Sequence, residues 1–232
     1  MDQWPGSGSR RRHEQPSPLV ITEAVWTQWA PRYRAQFFNS LSGPRQVGLL
    51  TSFSPEGIAN AAVFSQTLHV SANPPQLGFL FRPLTDEHQG LRYCREQKAF
   101  GFHLLGGQQF EARQLHQCSA KYPEGQSELD SVGLPWQSFE RIPAPRITSA
   151  LVSYGLRLDE EHLLANGSVL VVGSVVEVHL APSMTVEENG FVPMPEDHFT
   201  AQGLDTYLHS KTVIQLPYAE VNTEGNAPFQ KP

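Results

Sequence analysis

A mainly β fold, a closed antiparallel barrel with a few flanking helices, is what the sequence predicts, and three observations carry that expectation. Two long segments alternate with period 2. Ala150, Val152, Tyr154, Leu156 and Leu158 share one face of a strand, with Ser153, Gly155, Arg157 and Asp159 opposite. Leu170, Val172, Val176, Val178 and Leu180 do the same within 168–180, interrupted only by Ser174. An apolar run at 46–53 stops at Ser54-Pro55-Glu56-Gly57 and resumes at 58–64. Pro presets φ and Gly supplies φ > 0 in such a turn, so the two runs read as a hairpin. Turn signals recur at modest spacing while helical patterns stay short, which is the signature of a barrel with helices outside it.

Taken in order, residues 1–18 (MDQWPGSGSRRRHEQPSP) are too polar to bury a core and read as a flexible leader. After the hairpin, the breaker Asn73-Pro74-Pro75 introduces a strand at 76–81, and 100–105 makes another. Between them Thr85 offers an N-cap, and Asp86 and Glu87 an acidic first turn, for a helix through Gln97 that buries Leu91 and Cys94 at i, i+3. Shorter helices are expected at 108–117 and 127–131. Gly173 among valines marks a bulge or a close backbone approach. A last short strand is expected at 211–216, and 220–232 is again polar. No repeat and no internal linker divides the chain, so one domain is expected over 19–219.

The chain has 232 residues, with 17 Lys+Arg against 23 Asp+Glu and a net charge of −6, which argues against a nucleic-acid or anionic-membrane binder. No apolar run approaches the about 20 residues of a membrane-spanning helix. Only Cys94 and Cys118 occur, without C-x-x-C, which excludes a disulfide scaffold and a zinc ribbon. The basic N-terminus has no apolar stretch behind it, so the expected compartment is cytoplasmic. Walker, Rossmann, nucleophile-elbow and H-E-x-x-H motifs are all missing. None of the nine histidines has metal-site spacing, so no metal is expected. His116-x-Cys118 comes nearest and reads as a surface histidine beside a buried thiol.

Three ordered stretches then narrow the reading. They are 57–75 (GIANAAVFSQTLHVSANPP), 81–85 (FRPLT) with His88 and Gln89 behind it, and 119–129 (SAKYPEGQSEL) followed by Gly133-Leu134. The set resembles the flavin reductase-like family, which includes flavoredoxin-like proteins and adopts the FMN-binding split barrel. The ending, 203–207 and 217–219, resembles the family's closing strand, and the likeness spans roughly 38–219. The resemblance implies noncovalent FMN, hydride transfer from NADH or NADPH, and a homodimer with the flavin near its interface. A non-catalytic FMN-binding electron carrier or flavin-storage protein is the alternative.

The residues suit such a ligand on their own chemistry. A flavin needs an apolar slot, hydrogen-bonding groups at its polar edge and an anion site for its phosphate. Asn60, Ala62, Val63, Phe64 and Ser65, with the small Ala61, allow close backbone approach to a planar ring, and Ser65 and Thr67 add hydroxyls. Arg82, Thr85 and a helix start combine guanidinium, hydroxyl and backbone donors into an anion site. The resemblance implies the same division, with 60–65 against the isoalloxazine and 82–89, including His88 and Gln89, at the phosphate and ribityl. It also places Ser119 and Lys121 in a loop beside the site. Many relatives have Pro where Val63 stands, and Asp86 and Glu87 bring two carboxylates next to the expected phosphate. Glu128 reads as a helix cap or ion-pair partner. No catalytic acid or base is assigned, since hydride transfer to a flavin requires none.

Overall fold

In the computed structural model the described residues are 19–83 and 89–216. The expected leader at 1–18 and tail at 220–232 lie outside them, as do Thr85 and His88. The described chain opens with α1 (Glu23–Trp26) and α2 (Pro31–Leu41), then β1 (Arg45–Gln46), β2 (Gly48–Phe53), β3 (Ala59–Phe64), β4 (Thr67–Ala72) and β5 (Pro75–Phe81). Next come α3 (Gln89–Gln97), β6 (Ala99–Leu104), α4 (Gln109–Gln117), α5 (Glu128–Val132), β7 (Trp136–Ser138) and β8 (Pro145–Ile147). The long pair β9 (Val152–Leu163) and β10 (Val169–Leu180) precedes β11 (Phe199–Gln202) and β12 (Thr206–His209).

Seven strands form one antiparallel sheet in the order β3-β2-β6-β9-β10-β5-β4. The predicted β2–β3 hairpin is present, with Phe53 opposite Ala59. Its turn holds Gly57 at φ 81°, and the Ser54 hydroxyl accepts the N–H groups of Glu56 and Ile58. The alternating segments pair as β9 and β10, with register shifts after Val172 and after Val175. Gly173 sits at the first shift. A methyl group there would stand 2.9 Å from the Phe100 ring and 3.1 Å from the Arg157 carbonyl, so bulge and close approach coincide.

Successive residues of a strand face opposite ways, and β2 shows the consequence. Leu49 and Leu50 are both fully buried, yet in different cores. Leu49 packs with Ala61, Leu115, Leu129 and Ile147 under α4 and α5, on the outside of the sheet. Leu50 packs with Phe79, Phe100 and Phe102 on its concave side. Phe64 of β3 meets Phe81 of β5 edge-on at 4.7 Å and Phe79 at 6.3 Å, although β3 and β5 stand near opposite ends of the strand order. The sheet therefore curls until its two ends share one aromatic core. Among the described residues no ladder joins β3 to β4.

Two expectations change. The segment 211–216 forms no strand, and Val213, Ile214 and Leu216 are 96%, 68% and 67% exposed. Apolar, β-prone residues without a neighbouring strand have nothing to pair with. The last strand is instead β12, which folds back on β11 through Gly203 at φ 70°. The second change is β4, an additional edge strand between two segments already recognised. It pairs with β5 and lays Leu68 and Val70 over Gly78, where a methyl group would stand 2.9 Å from Leu68.

Helices α1 and α2 hold no buried residue. Their aromatic rings pack edge-to-face mostly on each other: Trp29 on Phe37 at 4.9 Å, Trp29 on Tyr33 at 5.0 Å and Trp26 on Phe38 at 5.5 Å. The expected α4 begins at a capping box, in which the Gln108 N–H donates to Glu111 Oε2 at 2.9 Å. Ser127 caps α5 by accepting from the Asp130 N–H, and Gly133 ends it at φ 70°. No helix among the described residues is long and apolar enough to cross a membrane.

Candidate functional site

The exposed ends of these elements enclose a cleft of about 760 Å3. One wall is β3 and the corner after it, from Asn60 through Phe64 to Ser65 and Gln66. The end of β5 adds Leu80, Phe81 and Arg82, and the described start of α3 adds Gln89 and Gly90. Residues 118–122, Glu128 of α5 and Leu204 of the β11–β12 turn complete it. The lining divides by chemistry. Ala62, Val63, Leu80, Phe81 and Leu204 are apolar, whereas Arg82, Ser119 and Lys121 are cationic or hydroxyl-bearing.

Asn60, Ala62, Val63, Phe64, Ser65, Arg82, Gln89, Ser119 and Lys121 thus line one cleft, from three segments far apart in sequence. Thr67 departs from expectation. It begins β4 beyond the corner, and its hydroxyl donates to Gln46 Oε1 at 3.1 Å, away from the cleft lining. A strand that starts after a two-residue corner presents its side chains anew, so Thr67 does not continue the face of Ser65. Thr85 and His88 lie outside the described residues.

Glu128 has a larger role than a cap. It is 6% exposed, and its Oε2 accepts the Ala61 N–H at 2.9 Å. Both carboxylate oxygens accept from Asn60 Nδ2 at 3.2 Å. Burial raises its pKa above the ordinary carboxylate value, against the hydrogen bond from Ala61. The carboxylate thereby pins the start of the cleft wall to α5. The only sequence signal was its place in the 119–129 segment. Asn60 Oδ1 remains buried without a hydrogen-bond partner.

At the other end Arg82 donates to Asn39 Oδ1 at 3.4 Å and has no carboxylate partner among the described residues. Arg45 stands near, donating to Ser42 Oγ at 2.8 Å and to the Gly203 carbonyl at 3.1 Å. Its pKa is lowered, first by burial and then by the charge of Arg82. Two neighbouring guanidiniums with no carboxylate partner among the described residues give the described part of this end a positive charge suited to an anion. Cys118 is a cleft residue too, but burial, then the Glu128 charge, pushes its thiol up to about 12, so it is no thiolate nucleophile at neutral pH. His116 Nδ1 lies 3.2 Å from the Tyr207 hydroxyl, and neither residue lines the cleft.

An apolar slot with a polar edge and a cationic end accommodates a flat, partly apolar ligand with an anionic tail. Comparison with known proteins agrees with the architecture. A structure from Shewanella frigidimarina, described as a flavin reductase with split barrel domain, superposes with a TM-score of 0.80 at 28% identity, over 87% of this chain and 100% of that one. The FMN-binding protein of Thermus thermophilus gives a TM-score of 0.63 at 19% identity, over 77% and 93%. The NADH:FAD oxidoreductase of Streptomyces globisporus gives 0.60 at 16%, over 85% and 100%. The last two likenesses concern the fold alone. A family model, the flavin reductase like domain, matches residues 41–194, which is more than half of the chain. This protein therefore belongs to the flavin reductase like domain family.

Proposed function

We propose that the protein is an FMN-binding oxidoreductase that moves hydride between NADH or NADPH and the flavin. The observation that carries this reading is the cleft, where a small-residue wall, an apolar floor and the cations Arg82 and Lys121, with no carboxylate partner among the described residues, line one space of about 760 Å3. That size is within the about 300–1,000 Å3 of ligand pockets. The residues fit the group. Ala61, Ala62 and Gly90 leave room for a planar ring against backbone, and Val63 and Phe81 offer it apolar surface. Arg82, with Ser119 and Lys121, would hold the phosphate, and the wall that the Asn60–Glu128 bond fixes would lie against the ring.

Bound FMN would supply the hydride-accepting chemistry, while the protein holds and orients it and limits access of water. The Thermus FMN-binding protein and the Streptomyces NADH:FAD oxidoreductase, which share this fold, support a flavin and a nicotinamide donor, the latter with FAD. The curled sheet acts as a closed split barrel across the Phe64–Phe81 contact, within a domain of 19–219. The exposed Leu204 at the cleft rim, with Leu68 and Val70, suits burial in a homodimer in the cytoplasm.

The test is the absorbance of the purified protein between 350 and 500 nm, with and without added FMN or FAD, followed by anaerobic titration with NADH and NADPH. Binding of FMN in preference to FAD, and bleaching by one nicotinamide donor, are expected. A colourless protein that takes up no added flavin would overturn the reading, and bound flavin that neither donor reduces would leave a carrier.

A further inference from the structure

We propose that Glu124 is a positioning residue for the cleft: with Arg92 and Tyr93 it latches the segment 119–126 to α3, and this latch sets how slowly a ligand leaves. The inference rests on the proposed flavin reading, with FMN as the ligand that tests it.

Two parts of the cleft lining come from stretches that no strand ladder joins. Residues 118–122 follow α4, whereas Gln89 and Gly90 open α3. Two residues beyond each stretch, the two chains meet. The Glu124 carboxylate accepts from the Arg92 guanidinium, and its Oε1 lies 3.5 Å from the Tyr93 hydroxyl. Arg92 in turn lies over the Tyr93 ring, 5.1 Å from its centroid, and donates to its hydroxyl at 3.4 Å. Tyr93 is buried in α3 and gives the latch a fixed post, whereas the Glu124 side chain is 64% exposed.

Little else holds the segment. Among the described residues, every hydrogen bond from 121–125 to another element ends on Glu124. The others are local turns, from the Tyr122 N–H to the Ala120 carbonyl and from the Gln126 N–H to the Pro123 carbonyl, each at 3.1 Å. Behind the latch the seam is shut. Gly125 and Gln126 approach Gln89, Tyr93 and Asn60 so closely that a space of about 10 Å3 is left, room for a single water at most. Asn60 and Gln89 line this space and the cleft alike, so the seam is a border of the cleft. Both charged partners touch solvent, and such a pair is a weak tie that opens and recloses. When it opens, 119–126 is free to swing away from α3, and Ser119 and Lys121 leave the cleft wall with it.

The experiment follows FMN release from the whole chain by the recovery of flavin fluorescence on dilution, at about 20 mM and about 1 M NaCl. Glu124→Ala should release FMN about two- to fivefold faster than the unmodified protein at low salt. That ratio should fall toward one at high salt, where the pair is screened in both proteins. Swapping the charges, Arg92→Glu with Glu124→Arg, should bring release back toward the unmodified rate. A second readout needs no ligand: in the flavin-free protein the Tyr122 and Gln126 amides should exchange with solvent about two- to fivefold faster in Glu124→Ala, with β9 and β10 unchanged. Release and exchange that match the unmodified protein would overturn the inference and leave the flavin reading intact. Faster release that neither salt nor the swapped charges reverse would overturn it as well, because the pair would not be its cause. If the unmodified protein takes up no flavin, the flavin reading falls, and the amide exchange decides the latch by itself.

Discussion

The molecule buries two polar clusters on the same sheet, and they differ in one respect. In the first, His103 of β6 is fully buried, with its ring stacked on Phe139 at 5.7 Å. Its Nε2 lies 2.9 Å from Thr51 Oγ1 and 3.1 Å from the Pro145 carbonyl, and its Nδ1 3.0 Å from Ser153 Oγ. Thr51 donates its own proton to the Pro145 carbonyl at 2.6 Å, so Nε2 carries the ring proton and Nδ1 accepts from Ser153. Gly101 makes the space, since a methyl group there would stand 2.4 Å from Thr51 Oγ1. Both ring nitrogens are thus paired within the protein. In the second cluster, Glu128 and Asn60 are paired with each other and Oδ1 is left over. The closed cluster serves the fold. The open one fixes the cleft wall, since Glu128 holds both the Asn60 side chain and the Ala61 N–H.

Five experiments break or sharpen this contrast, in falling order of effect. His103→Ala removes a buried ring and takes from Ser153 its hydrogen-bond acceptor, while Thr51 keeps its bond to the Pro145 carbonyl. It should cost about 3–5 kcal/mol of stability in denaturant unfolding, with FMN affinity of the folded protein unchanged. A comparable loss of affinity would erase the distinction between the clusters. Arg82→Ala should weaken FMN about 10- to 100-fold in fluorescence titration and leave riboflavin, which lacks the phosphate, nearly unaffected.

Acid should act on the two clusters with opposite sign. Burial holds the His103 pKa down at about 3, so below pH 6.5 the unfolded chain takes up a proton that the native state refuses. Stability is then lost as pH falls from 6.5 toward 3, by at most about 1.4 kcal/mol per pH unit from this group. Glu128 has a raised pKa, so the native state takes its proton first, and the penalty for its buried charge is relieved on acidification. Glu128→Gln should therefore steepen the acid loss, and His103→Ala should flatten it, in unfolding curves at a series of pH values. Ser153→Ala leaves Nδ1 without its donor and should destabilise by about 1–2 kcal/mol. Thr67→Ala, which loses the hydroxyl bond to Gln46, should change FMN affinity less than twofold and stability by about 0.5 kcal/mol or less.

The strands were legible where their chemistry was local. The 54–57 turn and the alternation of β9 and β10 depend on neighbours a few residues away, and both appear as expected. Period 2 also hides what lies beyond a strand. The run 211–216 reads as a strand, but pairing is decided by a partner, and none stands beside it among the described residues. Among the cleft residues, those in contiguous segments such as 60–65 could be read directly. The function of Glu128 could not, because its bond to Ala61 spans 67 residues, and nothing local says that α5 docks on β3. Leu204 was hidden for the same reason, being brought to the rim by the β11–β12 turn. Thr67 was misplaced by a single corner.

The indole of Trp136 donates to Asp130 Oδ1 at 2.8 Å and meets the Phe53 ring edge-on at 5.7 Å. Asp130 lies two residues after Glu128 in α5, and Phe53 belongs to the strand paired with that of Asn60. A fluorophore is therefore built into the joint between α5 and the β2–β3 hairpin. With Trp4, Trp26 and Trp29 replaced by Phe, its emission colour should report whether that joint is dry or wet, and its light overlaps flavin absorption. Loosening of the Glu128 anchor could be followed by eye of spectrometer, without any label attached to the chain.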